Sequence, residues 1–419
     1  MIDNIWNESI EKETIEILQD LVRIRTINSR NNEITAVHYL AYILKREGID
    51  YKIIESAPGR GNIIARLKGG DKEPMLFMSH LDVVDVDDSK WDHDPFAGVI
   101  SDSQIIGRGT LDTKQLTVMA LMPLLLIKRN NISLDRDIIF IATADEENGS
   151  QYGMHYLVEN HKELIPNGYV INEGGGFILP NLEKQFRICA CGEKGVCEIA
   201  IKITGGNDFI SRLNDIISRV AGYKSEEILC DVTIRFREKT GTLISKDQTI
   251  QNLWEYMTHH TLTLNAFEYD QEAFKTDNVY EIKSTFRFLP VMTKSDVIAT
   301  LDKIFEGLDL DYSITKYFDG YESDLDNDFI RLLAEQSNLF DNDTTLLPMI
   351  ALGNTDGRYI RHNVYGYSPM LEIDSFDKVL KKVHLHNESI SIESLLYGTK
   401  VLLGTTLAML DSNRNGGMK

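Results

Sequence analysis

The chain contains little cysteine and no excess of basic residues. Its 419 residues include 4 Cys, 9 Pro and 3 Trp, and 64 Asp and Glu outnumber 44 Lys and Arg, which gives a formal net charge of −20. Nucleic acids and anionic membranes bind proteins through clustered Lys and Arg, so this balance argues against both as partners. Hydrophobic residues make up 42% and charged residues 26%, a composition typical of a packed globular protein.

A membrane-spanning segment is also missing from the sequence. The longest apolar run, residues 116–127, is interrupted by Pro123 and is too short to cross a bilayer, so we interpret it as a buried helix. The first residues lack the basic start and apolar stretch of a secretory signal. No CxxC pair occurs among the cysteines, which favours reduced core thiols over metal ligation. We therefore expect a cytoplasmic protein.

Short apolar runs alternate with longer helical stretches in the first half of the chain. Apolar residues repeat at helical spacing in residues 8–27, 33–48, 113–129 and 150–164. The short runs between and around these stretches are residues 51–54, 62–67, 75–78, 137–142 and 168–171. This alternation predicts an α/β fold, with a three-layer domain built on a mixed, mostly parallel sheet.

After about residue 193 the pattern changes to strands of alternating polarity and amphipathic helices. The expected order is strand 196–204, helices 208–220 and 247–259, strands 261–267 and 279–288, a helix from about 293, and strand 312–317. This order indicates a small α+β domain of ferredoxin-like type with a half-solvated antiparallel sheet. We predict a catalytic domain at 1–193 and 321–419, with an inserted lid domain at 194–320.

Residue types that bind metals follow three of the predicted strands. They are His80 and Asp82 after the first, Asp145, Glu146 and Glu147 after the second, and Glu173 after the third. In open α/β sheets, sites form outside the carboxyl ends of strands, so these tips should converge on one crevice. Any single tip could be a solvated turn, but three together, followed by a fourth acid at Asp112, favour a site.

The spacing of these residues suggests a division of roles. His80 and Asp82 stand two apart, so in an extended chain Asp82 could hold the second ring nitrogen of a metal-bound His80. Of the adjacent Glu146 and Glu147, one could bind metal while the other stays free as a general base. Two divalent cations would lower the pKa of a shared water, whose proton such a base could accept.

These residues also carry a family resemblance. The segments SHLDVV, WDHDPFAG, IIGRGTLDTK, TADEENGS, INEGGG, CGEKG, GNTDGRYIR and HLHNE occur in the order found in the aminoacylase/carboxypeptidase family of co-catalytic metallopeptidases. The resemblance implies two divalent metal ions of zinc type that activate water for amide hydrolysis. The implied roles are metal binding by His80, Glu173, Glu147 and His384, bridging by Asp112 before a cis peptide to Thr113, orientation by Asp82, and base catalysis by Glu146.

His384 is the expected histidine ligand in the last of these segments. In the family pattern the ligand stands three residues before the Asn-Glu pair, which here is Asn387 and Glu388. His386 remains the alternative ligand, or else a surface or supporting histidine.

The substrate class follows from two further features of the resemblance. Glu173, rather than Asp, is similar to the carboxypeptidase and deacylase branch of the family. The GNTDGRYIR segment resembles a loop in which an arginine grips the substrate carboxylate, which points to Arg358, with Asp356 in the same loop. The alternative is a structural ion pair between Arg358 and Asp356. We expect a small-molecule or short-peptide substrate with a free carboxylate.

The chain departs from the family pattern in the inserted domain. Most members carry a histidine there that stabilises the oxyanion, often in the partner subunit, whereas ITGGNDFISRLND has none. His259 and His260 could substitute, but their position at a helix end favours the surface. The alternative function is therefore a catalytically weak or inactive protein that binds an amino acid or peptide. A homodimer through the inserted domain is a further expectation.

Overall fold

The computed structural model describes residues 2–180, 182, 184–204, 208–269, 279–308, 310–341 and 344–410. The chain divides into two compact units. The first comprises Met1–Cys191, Ser323–Leu347 and Thr355–Lys419, and the second comprises Gly192–Glu322 and Pro348–Asn354. The second unit therefore interrupts the first in sequence.

The strands in chain order are β1 (Asp50–Ala57), β2 (Arg60–Leu67), β3 (Lys72–His80), β4 (Val99–Ser101), β5 (Gln104–Ile106), β6 (Arg136–Thr143), β7 (Tyr169–Asn172), β8 (Ile178–Leu179), β9 (Phe186–Glu193), β10 (Gly195–Thr204), β11 (Thr261–Tyr269), β12 (Val279–Phe288), β13 (Asp311–Phe318), β14 (Tyr321–Glu322), β15 (Thr345–Ile350), β16 (Val364–Gly366) and β17 (Ser389–Ser391).

The α-helices in chain order are α1 (Glu8–Arg23), α2 (Glu33–Arg46), α3 (Lys114–Arg129), α4 (Met154–Asn160), α5 (Phe209–Ala221), α6 (Asp231–Thr240), α7 (Gln248–Thr258), α8 (Lys294–Phe305), α9 (Asp328–Phe340), α10 (Phe376–Leu380) and α11 (Ile392–Leu410).

The main sheet of the first unit is mixed, which confirms the predicted α/β class, but its parallel pairs do not outnumber its antiparallel ones, so it is not mostly parallel as predicted. Its strands lie in the order β1-β2-β6-β3-β7-β16-β9. The pairs β6-β3, β3-β7 and β7-β16 are parallel, whereas β1-β2, β2-β6 and β16-β9 are antiparallel. Parallel pairing is thus confined to the centre of the sheet, where β3 has β6 on one side and β7 on the other. The carboxyl ends of these three strands meet at one edge.

Helix α3 forms the apolar layer behind this centre. Every residue from Lys114 to Ile127 is buried, including Pro123 within the helix. The helix packs on β3 and β6, and α1 and α11 pack on α3. A helix buried on all sides has almost no polar face, which is why residues 116–127 read as one apolar run in the sequence.

The second unit contains an antiparallel sheet in the order β11-β12-β10-β13. Its chain order is strand, helix, two strands, helix, strand, with α6 and α7 added before β11, which is the ferredoxin-like arrangement expected for the inserted domain. Residues of α5 and α8 pack with the sheet in one core, among them Ile216, Leu301 and Phe286. Helix α6 was not predicted, because its sequence DVTIRFREKT carries charged residues among its apolar positions.

Two further predictions concerned membrane-spanning segments and the state of the cysteines. None of the helices in the described parts of the chain has the length and apolarity needed to span a bilayer. The four cysteines are buried free thiols, as predicted.

Candidate metal centre

Asp112 lies between two histidines in the first unit. Its Oδ1 is 2.9 Å from His80 Nε2, and its Oδ2 is 2.9 Å from His384 Nε2. Glu173 Oε2 lies 3.6 Å from His80 Nε2, and Glu147 Oε2 lies 3.2 Å from His384 Nε2. The result is two groups of possible metal ligands, each with its donor atoms within 4.8 Å of one another, that share Asp112.

Three of these side chains reach the site because of the parallel centre of the sheet. His80 is the last residue of β3, Glu173 directly follows β7, and Glu147 lies in the short 3₁₀ turn after β6. Because β6, β3 and β7 are parallel neighbours, their carboxyl ends lie side by side. The structure therefore brings together the three strand ends that the sequence singled out.

Asp112 reaches the site on the loop between β5 and α3. Glu388 Oε1 accepts hydrogen bonds from the main-chain N–H groups of Gly109, Leu111 and Asp112 at 3.1, 2.7 and 3.2 Å. The peptide bond from Asp112 to Thr113 is cis, as the family resemblance implied. A buried carboxylate that accepts three N–H groups fixes the path of this loop.

His384 is the histidine that the structure places against the carboxylates. It adopts a positive φ of 62°. Its main-chain oxygen accepts a hydrogen bond from Arg108 at 3.2 Å, and Arg108 also pairs with Glu388. His386 is exposed and belongs to neither group of possible ligands among the described residues.

The carboxylates and histidines of the site shift one another's pKa values. Burial raises the pKa of Asp112, but hydrogen bonds to His384 and His80 outweigh it and hold that pKa below its ordinary value. Hydrogen bonds to Asp112 and Glu147 raise the pKa of His384 to about 10. Burial raises the pKa of Glu173 to about 7 and, with the Asp112 charge, also raises that of Glu147. The carboxylates and imidazoles of the two groups are thus close enough to shift one another's pKa values.

Glu146 is the first residue of the 3₁₀ turn that carries Glu147. Burial raises its pKa well above the ordinary value, and the Glu173 charge acts in the same direction. The main-chain N–H of Glu146 donates to Asp82 Oδ1 at 3.0 Å, which ties the turn to the end of β3. Its carboxyl group therefore lies within the field of the proposed ligands.

Asp82 contacts the site in two ways. The His80 ring Nδ1 lies 2.9 Å from the main-chain oxygen of Asp82 and 3.5 Å from its carboxylate Oδ1. The carboxylate accepts the N–H groups of Glu146 and Glu147 at 3.0 and 3.1 Å. Asp82 thus contacts the His80 ring mainly through its main-chain oxygen. Its carboxylate has a second role, which the sequence did not suggest: it holds the turn that carries Glu146 and Glu147.

Asp356 and Arg358 lie together in a short 3₁₀ turn, Asp356–Tyr359, and both are buried. Asp356 Oδ2 accepts the Thr143 hydroxyl at 2.8 Å, and its Oδ1 accepts the Ser150 hydroxyl. The Arg358 guanidinium lies over the Tyr359 ring, 5.1 Å from its centroid. Asp356 therefore anchors the turn that carries Arg358.

The surface interpretation of His260 was wrong. This residue of the second unit is only 6% exposed. Its Nδ1 accepts the main-chain N–H of Leu289 at 3.1 Å, and its ring packs edge-on against Phe286. His259, also near the end of α7, is half-buried. A helix end marks the surface only where no other element covers it, and here the chain around Leu289 covers His260.

Sequence reasoning also missed residues that support the proposed ligands. Glu388 served only to set the register of the HLHNE segment, and Arg108 had no role assigned within IIGRGTLDTK. Both are buried charged residues, and such residues need partners, but their partners lie far away in sequence. Asn28 contacts Asp82 and Asp145, and Arg60 contacts Asp145. Neither residue lies in any of the sequence motifs, so the sequence did not indicate a role for them.

The sequence profile of peptidase family M20/M25/M40 matches residues 76–408. The chain belongs to peptidase family M20/M25/M40. This membership confirms the resemblance drawn from the ordered motifs and the prediction of a metallohydrolase family.

Known relatives of the chain differ in their named activities. A probable succinyl-diaminopimelate desuccinylase of Staphylococcus epidermidis is 32% identical over 187 residues, which are 44% of this chain and 45% of that protein, so the match spans about half of its length. The human N-fatty-acyl-amino acid synthase/hydrolase PM20D1 is 25% identical over 379 residues, 80% of this chain and 74% of that protein.

A solved structure shows the same fold. The M20 family metallo-carboxypeptidase Sso-CP2 from Sulfolobus solfataricus superimposes with a TM-score of 0.73 at 18% identity, over 94% of this chain and 98% of that chain. At this identity the likeness concerns the fold alone.

Proposed function

We propose that this chain is a two-metal amidohydrolase that cleaves the amide bond of an N-acyl amino acid or small peptide with a free carboxylate. The main observation behind the proposal is the position of Asp112: its two carboxylate oxygens each lie 2.9 Å from a different histidine. The named activities of the sequence relatives, a probable succinyl-diaminopimelate desuccinylase and an N-fatty-acyl-amino acid synthase/hydrolase, support the substrate class.

The residues present fit two divalent cations. Each group offers one imidazole and carboxylate oxygens, a donor set that suits zinc and also accepts cobalt or manganese. Glu147 Oε1 is buried and has no hydrogen-bond donor among the described residues, so it has capacity for a cation. His80 and Glu173 would hold one ion, and Glu147 and His384 the other, with Asp112 shared.

The chemistry divides between the ions and Glu146. Bound divalent cations supply Lewis-acid polarisation of the amide carbonyl and a water of lowered pKa. Glu146 accepts a proton from the attacking water on its carboxylate and delivers it to the amine nitrogen as the C–N bond breaks. One water is consumed, and the products are a carboxylic acid and an amine.

Substrate orientation is assigned to the Asp356–Tyr359 turn. Arg358 provides a guanidinium whose planar donors match a substrate carboxylate in a bidentate contact. Asp356, held by Thr143 and Ser150, keeps this turn on the end of β6. In this assignment Asp356 serves substrate binding through the position of Arg358.

The test is hydrolysis by metal-stripped and metal-loaded protein. A chelator-treated sample is reloaded with zinc, cobalt or manganese and assayed against N-acyl amino acids and dipeptides, each with a free carboxylate or a carboxamide end. We expect turnover only after reloading, and a much higher rate with the free carboxylate than with the carboxamide. Glu146→Gln should keep two ions per chain and lose about 10²- to 10⁴-fold in kcat. Glu163→Gln, at an exposed glutamate, is the matched control.

Two outcomes would contradict the proposal in different ways. Full activity of Glu146→Gln would remove Glu146 from its role. Retention of metal and of a tightly bound amino acid or peptide without hydrolysis of any substrate would favour the binding protein that the missing inserted-domain histidine suggested.

We also propose that the second unit mediates a homodimer. Ile210 on α5 is 72% exposed, and Phe267 on β11, the outer strand of its sheet, is 51% exposed. Exposed apolar side chains beside an outer strand mark a surface suited to a second copy. Light scattering after size exclusion should give the mass of a dimer for the wild type. The double variant Ile210→Asp with Phe267→Asp should give the mass of a monomer. A monomeric wild-type chain would contradict the proposal.

A cytoplasmic location stays a prediction.

A further inference from the structure

A buried polar cluster lies behind the candidate metal ligands. It consists of Asn28, Glu33, Arg60, Asp82 and Asp145, and we call it the Asn28 cluster. Glu33, Asp82 and Asp145 are fully buried, and Arg60 is 4% exposed. None of the five belongs to the two groups of possible metal ligands. Arg60 pairs with Glu33 and Asp145, but three acids share this one guanidinium's neighbourhood, so their carboxylates need further donors to stay buried.

Asn28 bridges two of these acids. Its Nδ2 donates to Asp82 Oδ2 at 2.7 Å and to Asp145 Oδ1 at 3.2 Å. Its main-chain N–H donates to Val83 O at 2.9 Å, next to the bridge between Ile27 and Val83. Asp82 follows β3 and Asp145 follows β6, so one amide group joins the ends of two neighbouring strands.

Arg60 holds Asn28 from the other side. Its Nη2 donates to Asn28 Oδ1 at 3.4 Å and lies 3.5 Å from Asp145 Oδ1, while its Nη1 pairs with Glu33. Gly59 makes this approach possible. It has a φ of 82°, and a Cβ there would lie 1.9 Å from the main-chain oxygen of Asn31. The side-chain amide of Asn28 is thus held through both its nitrogen and its oxygen.

The two bridged acids hold the turn that carries Glu146 and Glu147. Asp82 accepts the N–H groups of Glu146 and Glu147 at 3.0 and 3.1 Å. Asp145 directly precedes this turn, and its Oδ2 accepts the N–H of Tyr152 at 3.0 Å. A displacement of either acid would therefore move the proposed base and one proposed ligand together.

We propose that Asn28 is a positioning residue for the metal centre, through Asp82 and Asp145. Two buried carboxylates repel each other, and a shared amide donor lets them stay close together. Without this donor the acids would separate, and the N–H groups of the turn would lose their acceptor geometry. This inference rests on the proposed function, because it assigns Asn28 to that site.

The experiment compares Asn28→Leu with Asn32→Leu. Leucine branches at the same position as asparagine but has no donor, and Asn32 is a half-buried asparagine of the same segment that contacts neither acid. The readouts are zinc affinity by competition with a chromophoric chelator, kcat and KM, and thermal unfolding of the metal-free chains. We expect Asn28→Leu to weaken zinc affinity by about 10- to 100-fold and to lower kcat more than it raises KM, with Asn32→Leu near the wild type.

Two further variants keep the outcome decisive. Asn28→Ser retains one short donor that cannot reach both acids, so it should lose less than Asn28→Leu. Arg60→Lys keeps a cation for Glu33 but lacks the nitrogen that reaches Asn28, and it should weaken zinc affinity in the same direction. Wild-type zinc affinity in both Asn28 variants would overturn the inference. A wild-type chain that binds no divalent cation and hydrolyses nothing would instead overturn the proposed function.

Discussion

The main-chain N–H of Asp112 donates a hydrogen bond to Glu388 Oε1 at 3.2 Å, across 276 residues of the chain. The same oxygen accepts the N–H groups of Gly109 and Leu111, and the other carboxylate oxygen pairs with Arg108. Glu388 therefore fastens the loop that ends in Asp112. Because Arg108 also donates to the main-chain oxygen of His384, one buried ion pair holds two segments that carry proposed ligands.

Replacement of Glu388 should destabilise the chain strongly. Glu388→Ala leaves Arg108 as a buried unpaired charge and removes the acceptor of three N–H groups, so we expect a loss of about 3–5 kcal/mol in the free energy of unfolding. Glu388→Gln keeps an acceptor and should lose less. Urea unfolding of metal-free protein measures both, with the exposed Glu393→Ala as control. Equal stability of Glu388→Ala and the control would show that the ion pair contributes nothing.

The two histidines of the HLHNE segment should differ in their effect on metal content. His384→Ala removes the imidazole that lies against Asp112 and Glu147, so we expect one ion fewer per chain and a loss of turnover. His386→Ala changes an exposed residue and should keep both ions. Elemental analysis after gel filtration measures the stoichiometry. The reverse result would make His386 the ligand.

A change at Arg358 should separate substrate binding from a structural role. Arg358→Lys keeps the charge but loses the planar pair of donors, so kcat/KM for carboxylate substrates should fall by about 10-fold or more. The corresponding carboxamides should be hydrolysed at the same low rate by the variant and the wild type. An equal fall for both substrate types, together with a lower unfolding temperature, would indicate a structural ion pair with Asp356.

His260 should make stability depend on pH. Burial lowers its pKa to about 4, and the charges of Lys194 and His259 act in the same direction. An unfolded histidine titrates near about pH 6.5. Between these values the unfolded chain binds a proton that the folded chain excludes, so the free energy of unfolding falls as the pH falls, by about 2 kcal/mol down to pH 5.

The measurement for His260 is a comparison of slopes. Urea unfolding of the wild type and of His260→Phe is followed from pH 8 to pH 5. The loss of the hydrogen bond from Leu289 lowers the stability of the variant equally at every pH. The difference between the two proteins should therefore shrink toward pH 5. A constant difference would mean that His260 titrates alike in the folded and unfolded states.

The sequence was most informative where an apolar run is followed directly by residues that can bind metal. The apolar runs that became β3, β6 and β7 are short and buried, and ligand-type residues follow them directly, so the sequence alone could group His80, Glu147 and Glu173 in one site. The buried helix α3 was predicted for the same reason, because burial on all sides leaves an uninterrupted apolar run.

The supporting residues could not be predicted in this way. Asn28 is 54 residues from Asp82 and 117 residues from Asp145, and no local periodicity links such positions. Glu388 and Arg108 likewise become partners only through the fold. The burial of His260 was not predicted because the sequence indicates where a helix ends but not which distant segment packs over that end.

The sharing of Asp112 has a consequence for how the proposed site would fill. Two ions that draw on one carboxylate cannot load independently, because the charge that attracts the second has already been partly neutralised by the first. His80 is 1% exposed and the His384 side chain is 49% exposed, so the two positions also differ in access to solvent. Under the proposed function, metal uptake would be stepwise, and an ion held by the exposed His384 would exchange with the medium more readily than one held by the buried His80.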